Sequence, residues 1–383
     1  MASLTTHFEQ ITMTDIKRYY AFDSLRATMM LLGLVIHSAM SYSNSNDMSW
    51  PLRAKDTSNF FFVLVDFLHT FRMPVFFLIA GFFGAFLFFN KSPKQMLKNR
   101  FKRIFLPFVV FLVLLNPFIL FAFNYCKAVF NGNPPLSFSK HFLSLWSYIP
   151  FSLYHLWFLY YLFIVSVLMY LFSKLTKYIS VSPIDNFFER TFKNPALRIL
   201  TLTSVSFVIL FLFGAKSFET SVKWIPDLGI LTYYFAFYTT GWFLYRKKEL
   251  VNTLKRFDII TTVIGVIAFC LKLYYYNQMN LISLQIINSI ITCTLSIGII
   301  GLFLRFTDIA NDYIAYFVNS AYWVYLIHFF IAILLSGLLN DALFSVYLKF
   351  LIVLLGTTTI CLTSYHFFVR KTFIGVFLNG KKT

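Results

Sequence analysis

The chain has 383 residues, 58% of them hydrophobic and only 13% charged, with 51 Phe and a formal net charge of +18. A soluble domain has no interior large enough for so much apolar surface, whereas repeated apolar runs of about twenty residues are how helices cross a bilayer. Four scattered cysteines (Cys126, Cys270, Cys293, Cys361) have no metal-ligand spacing and give no disulfide framework.

Apolar runs bounded by charge clusters predict an all-α, polytopic membrane protein with about ten transmembrane helices. They fall near 24–44, 60–89, 104–123, 151–172, 199–214, 228–245, 257–276, 283–304, 314–336 and 343–368. The second run is too long for one simple crossing, so its first part, near 60–72, is expected to tilt or partly re-enter. The fifth is short. With the N-terminus inside, the inward segments carry twenty-four Lys/Arg and the outward loops six; Arg72, Lys272 and Lys349 fall within spans. This is the positive-inside pattern, and it predicts that both N- and C-termini are cytoplasmic. The chain then divides into a cytoplasmic tail (1–22), a membrane domain (23–370) and a second tail (371–383). The mostly polar first 22 residues, followed by a span without a small-residue cleavage pattern, argue against a cleavable signal peptide. The basic charge is expected to face anionic lipid headgroups or a cytosolic anionic substrate, not nucleic acid.

In the first span, Arg26 and His37 are eleven residues apart, nearly three helical turns, so they share a face and lie about 16 Å apart along the axis, Arg26 near a membrane surface and His37 well inside. Gly33 on the same stripe leaves room beside it, and Asp23, three residues before Arg26, can pair with it. A buried His aligned with an Arg is a functional-site candidate; the structural reading is a headgroup-anchored Arg and a packed, hydrogen-bonded His. The second span adds Asp66, His69 and Arg72, each three apart, which need partners inside the membrane and are expected to form a mutual network. Pro74, Gly81 and Gly84 in MPVFFLIAGFFG suit a bent, closely packed helix. Arg100 and Arg103 at the next boundary could grip phosphates bidentately or form an ordinary positive-inside cluster. In YHLWFLYYLF, His155, Trp157 and Tyr160 could stack on sugar rings, although Trp and Tyr also form interfacial belts. His328 is mid-span and needs a partner, with Asn319 or the backbone as options; His366 reads as structural.

These residues resemble the integral-membrane acyltransferase 3 family along nearly the whole chain. The resemblance rests on the Arg26–x10–His37 spacing, FRMPVFFLIAGFF, Arg100-x-x-Arg103 followed by Pro107, the YHLWFL entry and the YLIH of the ninth span. Ala80 departs from the pattern, since many members have Ser there. The resemblance implies a bacterial inner-membrane enzyme that moves an acyl group from cytosolic acyl-CoA, a co-substrate with no further cofactor, to an extracytoplasmic glycan. It is strongest to the branch that succinylates periplasmic glucans. Arg26, Arg100 and Arg103 are then expected to hold the CoA phosphates, and His37 to act as general base or transient acyl carrier. Asp23, Asp66 and His69 complete the expected catalytic set, and Arg72 is assigned to the oxyanion or an acyl carboxylate. His155, Trp157 and His328 are expected at the acceptor. An O-acetyltransferase of surface polysaccharide or lipopolysaccharide is a neighbouring reading, and a glycan transporter or flippase is the reading from another class.

Overall fold

Seven of the apolar runs open on a residue suited to capping a helix. Ser58, Ser92, Asn194, Asp227, Asn280, Asn311 and Ser345 each accept a hydrogen bond from a backbone N–H of the first turn that follows. Inside a bilayer the remaining backbone groups must pair within the segment, so the runs between caps are helices. The computed structural model describes residues 19–44, 50–134, 141–142, 144–175, 182–218, 220–309 and 311–380. Residues 1–18 and 381–383 of the expected tails lie outside that set.

We number the helices α1 Tyr20–Met40, α2 Asn59–Asn90, α3 Pro93–Phe130, α4 Trp157–Leu175, α5 Ser182–Lys193, α6 Pro195–Leu212, α7 Leu228–Arg246, α8 Asp258–Tyr275, α9 Leu281–Phe306, α10 Asp312–Leu338, α11 Val346–Ser364 and α12 Phe373–Asn379. Among the described residues, eight helices are long and apolar enough to cross a membrane. They correspond to eight of the ten expected spans; α1 and α7, which occupy the other two, fall outside that set. The long second run is one unbroken helix of 32 residues, about 48 Å at ~1.5 Å per residue, with Pro74 in its interior and no re-entrant break. α1 begins and ends about four residues before the expected 24–44, so His37 stands in its last turn and not well inside the span.

α2 is central, in contact with α1, α7 and α9, while α10 packs against α1, α3 and α11. The α2–α7 crossing is backbone on backbone. A Cβ at Gly81 would stand 1.9 Å from the Tyr238 carbonyl oxygen, and one at Gly241 would stand 1.8 Å from that of Leu78. The glycines that read as packing residues in α2 are therefore the means by which two helices touch without side chains between them.

Within α3 a π-helical turn spans Phe101–Phe105. Pro107 cannot donate to the carbonyl four residues back, that of Arg103, and the Tyr322 hydroxyl donates to it instead at 2.8 Å. The Arg103 guanidinium donates to the carbonyls of Val376 and Phe377, fastening α12 to this turn.

After α1 the chain folds back over its own end. Ala54 donates to Ser41 O and Ser58 to Tyr42 O, each at 2.9 Å, and Lys349 of α11 reaches Asp56 at 2.8 Å. Lys349 is buried, with the Asn340 carbonyl as its other acceptor. The Lys349 hydrogen bond holds the Asp56 carboxyl below its usual range. A group with a depressed folded-state pKa contributes stability above its unfolded value, and that contribution goes as pH falls through the folded one. The tie is therefore expected to hold from neutral pH down to about 4 and to fail below it. Limited proteolysis of segment 50–58 checks this: Asp56→Asn should be cut at neutral pH as the unaltered chain is cut in acid, and equal resistance of both at pH 7 would refute it.

Candidate active site

A cavity of about 1270 Å³ opens among the loops at one end of the bundle, where residues 43–44, 50–53, 152, 154, 216–218, 220–223 and 276–277 converge. Most of these lie in connections that the charge pattern assigns to the outside, and the rest at the adjoining ends of expected spans. The cavity descends along α1 from Met40 to Met29 and along α2 from Phe62 to Phe76, about 21 Å of helix at ~1.5 Å per residue. On α2 the lining residues Phe62, Asp66, His69, Arg72, Met73 and Phe76 follow three- and four-residue steps, the one-face pattern of a helix.

His37 lines the cavity beneath the folded-back loop. Its ring is 5.3 Å from that of His328, 4.8 Å edge-on to Phe329 and 6.4 Å from Trp50, and its Nδ1 is buried with no hydrogen-bond partner. His328 Nδ1 lies 3.0 Å from Val324 O and 2.8 Å from Tyr325 O, while its Nε2 is buried and unpartnered. His155 stands beside it, rings 5.4 Å apart, with Nε2 3.0 Å from Leu326 O and Nδ1 unpartnered. The Tyr325 hydroxyl donates to His155 O at 2.7 Å. One stretch of α10, Val324–His328, thus positions two of the three histidines.

Arg72 completes the group. A Cβ at Gly33 would lie 2.5 Å from Arg72 Nη1 and 3.8 Å from His328 Nε2, so the missing side chain at Gly33 is what lets the guanidinium reach this point. Arg72 is buried, its Nε has no hydrogen-bond partner, and no ion pair compensates it among the described residues. The other two basic residues within spans are neutralised: Lys349 by Asp56, and Lys272 by Asp66 at 2.9 Å. An uncompensated buried cation is costly, so Arg72 marks where an anionic ligand group would be stabilised.

Of the residues singled out from the sequence, His37, Asp66, His69, Arg72, His155, Trp157 and His328 meet on this cavity. Within the network expected in α2, the Asp66 carboxylate turns to Lys272 of α8. Trp157 is 4% exposed, with its ring 5.6 Å edge-on to Tyr161. Asp23, Arg26, Arg100 and Arg103 are not on the cavity wall. Arg26 pairs with Asp23 at 3.4 Å and lies over Phe83, and Arg100 donates to Ala80 O at 2.9 Å, so both flank one stretch of α2 at the opposite end of the bundle. Sequence reasoning missed the pairings of Lys272 and Lys349. A lone lysine inside an apolar run signals a carboxylate partner, but which of the chain's 15 acidic residues supplies it is not written locally.

The family model described as the acyltransferase domain, acyltransferase 3, matches residues 19–366. The chain belongs to the acyltransferase 3 family. It is 25% identical over 384 aligned positions to Glucans biosynthesis protein C of Escherichia coli strain K12, covering 95% of both chains. The same name, identity and coverage hold for the relatives from E. coli strain SMS-3-5 and E. coli O81 strain ED1a. No solved structure matches. A histidine and an uncompensated guanidinium on one cavity wall are groups chemically able to serve as a base and as a seat for negative charge.

Proposed function

We propose that this chain is a membrane-embedded O-acyltransferase of the bacterial inner membrane, with cytoplasmic termini, which moves succinyl from cytosolic acyl-CoA to an extracytoplasmic glucan. The observation that carries the reading is the meeting of His37 with the uncompensated Arg72 on a cavity open to the outward loops. A sugar chain enters from the loop end and offers a hydroxyl to His37. His37 takes the hydroxyl proton as the oxygen attacks the thioester carbonyl carbon; the C–S bond then breaks and CoA leaves as its thiolate. Arg26 and Arg100 attract the phosphates of CoA at the opposite end, and the pantetheine arm carries the thioester toward Met29 and Met30, where the cavity begins one helical turn from Arg26. The relatives' name supports a glucan as acceptor.

Succinyl differs from acetyl by a distal carboxylate, and Arg72 is the group that would hold it. Arg72→Gln is expected to cut succinyl transfer by about 10–100-fold, the 1.5–3 kcal/mol of a hydrogen bond between charged groups, with acetyl transfer left within a few-fold. Purified protein in lipid, given succinyl-CoA or acetyl-CoA and glucan, tests both claims by mass spectrometry of the glucan. Equal loss with both donors would make Arg72 an oxyanion donor, and no mass increment from the unaltered chain would sink the enzyme reading.

A further inference from the structure

We infer that His328 is the positioning partner of His37, holding it in the tautomer that presents Nε2 to the substrate. The inference rests on the acyltransferase reading for its kinetic consequence, and on geometry for the rest. A carbonyl oxygen can only accept a hydrogen bond. The contacts of His328 Nδ1 with Val324 O and Tyr325 O therefore place its proton on Nδ1 and leave a lone pair on Nε2. By the same rule the Leu326 carbonyl places the His155 proton on Nε2 and leaves Nδ1 a lone pair. Two lone pairs cannot satisfy each other, so His155 is no partner for His328.

The buried Nε2 of His328 thus needs a donor, and the buried Nδ1 of His37 lacks a partner of its own. The two rings stand 5.3 Å apart, close to the roughly 5 Å at which one N–H···N bond of ~2.9 Å joins two imidazoles. With its proton on Nδ1 and directed at His328, His37 keeps its Nε2 lone pair for the acceptor hydroxyl. This is the logic by which a second group fixes the tautomer of a catalytic imidazole. The nearest carboxylate on the cavity wall of α2, Asp66, is committed to Lys272, so a neutral imidazole takes the orienting place. Arg72 is the other donor close to His328 Nε2. If it filled that lone pair instead, losing His328 would raise the KM for acyl-CoA and leave kcat alone.

The test uses the full chain in lipid. Leucine at position 328 (His328→Leu) is expected to lower kcat by about 10–100-fold with both KM values unchanged. His328→Gln, which returns an acceptor oxygen close to the Nε2 position, is expected to recover most of that loss. A second measurement needs no variant: nitrogen-15 NMR of His37 in the unaltered protein should show the proton on Nδ1. Protonation at Nε2, an unchanged kcat in His328→Leu, or a change confined to KM would overturn the inference. Should His37 carry its proton on Nδ1 while the unaltered chain moves no acyl group, the function fails and the pairing stands.

Discussion

Alanine at position 37 is expected to lower acyl transfer by about 10²–10⁴-fold, the contribution of a positioned general base, while the protein still inserts and folds. The expectation follows from position. Phe329 packs edge-on against the ring, Trp50 and His328 flank it, and the imidazole still lines the open cavity, where a hydroxyl can be brought to it. Removing the imidazole leaves Arg72 and the binding surfaces in place, so donor and acceptor should still bind. The loss is therefore expected in kcat, with KM for both substrates within a few-fold. Transfer assayed in proteoliposomes, with thermal unfolding as the check on folding, decides it. A folded His37→Ala protein with normal kcat would end the catalytic assignment.

The second large effect is structural. Gly81→Ala and Gly241→Ala each place a methyl group less than 2 Å from a carbonyl oxygen of the facing helix, and backbone cannot swing aside as a flexible side chain can. α2 and α7 must separate by about 1 Å or more, so each variant is expected to lose about 1–3 kcal/mol of stability, and leucine at either position more. The surviving folded fraction should also be slow. α2 carries His69 and Arg72, and a displacement of about 1 Å at a reacting centre can cost about 10²-fold in rate. Thermal unfolding midpoints in nanodiscs, together with activity per folded molecule, test the pair. Unchanged midpoints in both variants would show that the two backbones do not meet this closely at the crossing.

Much of the scaffold was legible in the chain. All ten apolar runs appear as helices, eight of them long and apolar enough to cross a membrane, because a backbone in hydrocarbon has few alternatives. The one-face spacing of Arg26, Gly33 and His37, and that of Asp66, His69 and Arg72, was legible for the same reason, since periodicity within a helix is local. Errors arose where a partner lies far along the chain. Asp66 was expected to serve its own helix, yet Lys272, 206 residues away, takes it. Arg103 reads as a phosphate ligand, yet its guanidinium holds the carbonyls of Val376 and Phe377 more than 270 positions on. His37 was placed deep in its span because composition does not mark where α1 ends. The end is decided by Ser41 and Tyr42 accepting from Ala54 and Ser58.

By itself, then, the order of residues determined a helical chain with many apolar crossings, a charge asymmetry between its ends, and an imidazole and a guanidinium aligned on the first helix. Those properties are local, set by the hydrophobic effect and helical periodicity over a few turns. Only the tertiary structure decided which of the three charges inside the expected spans cancel and which is left over. Lys272 and Lys349 find carboxylates across helix boundaries and Arg72 finds none, because in a low-dielectric interior the pairing of charges depends on which helices pack together. It is that remaining charge, beside His37 and His328, that makes a cavity among helices into a candidate site for acyl transfer.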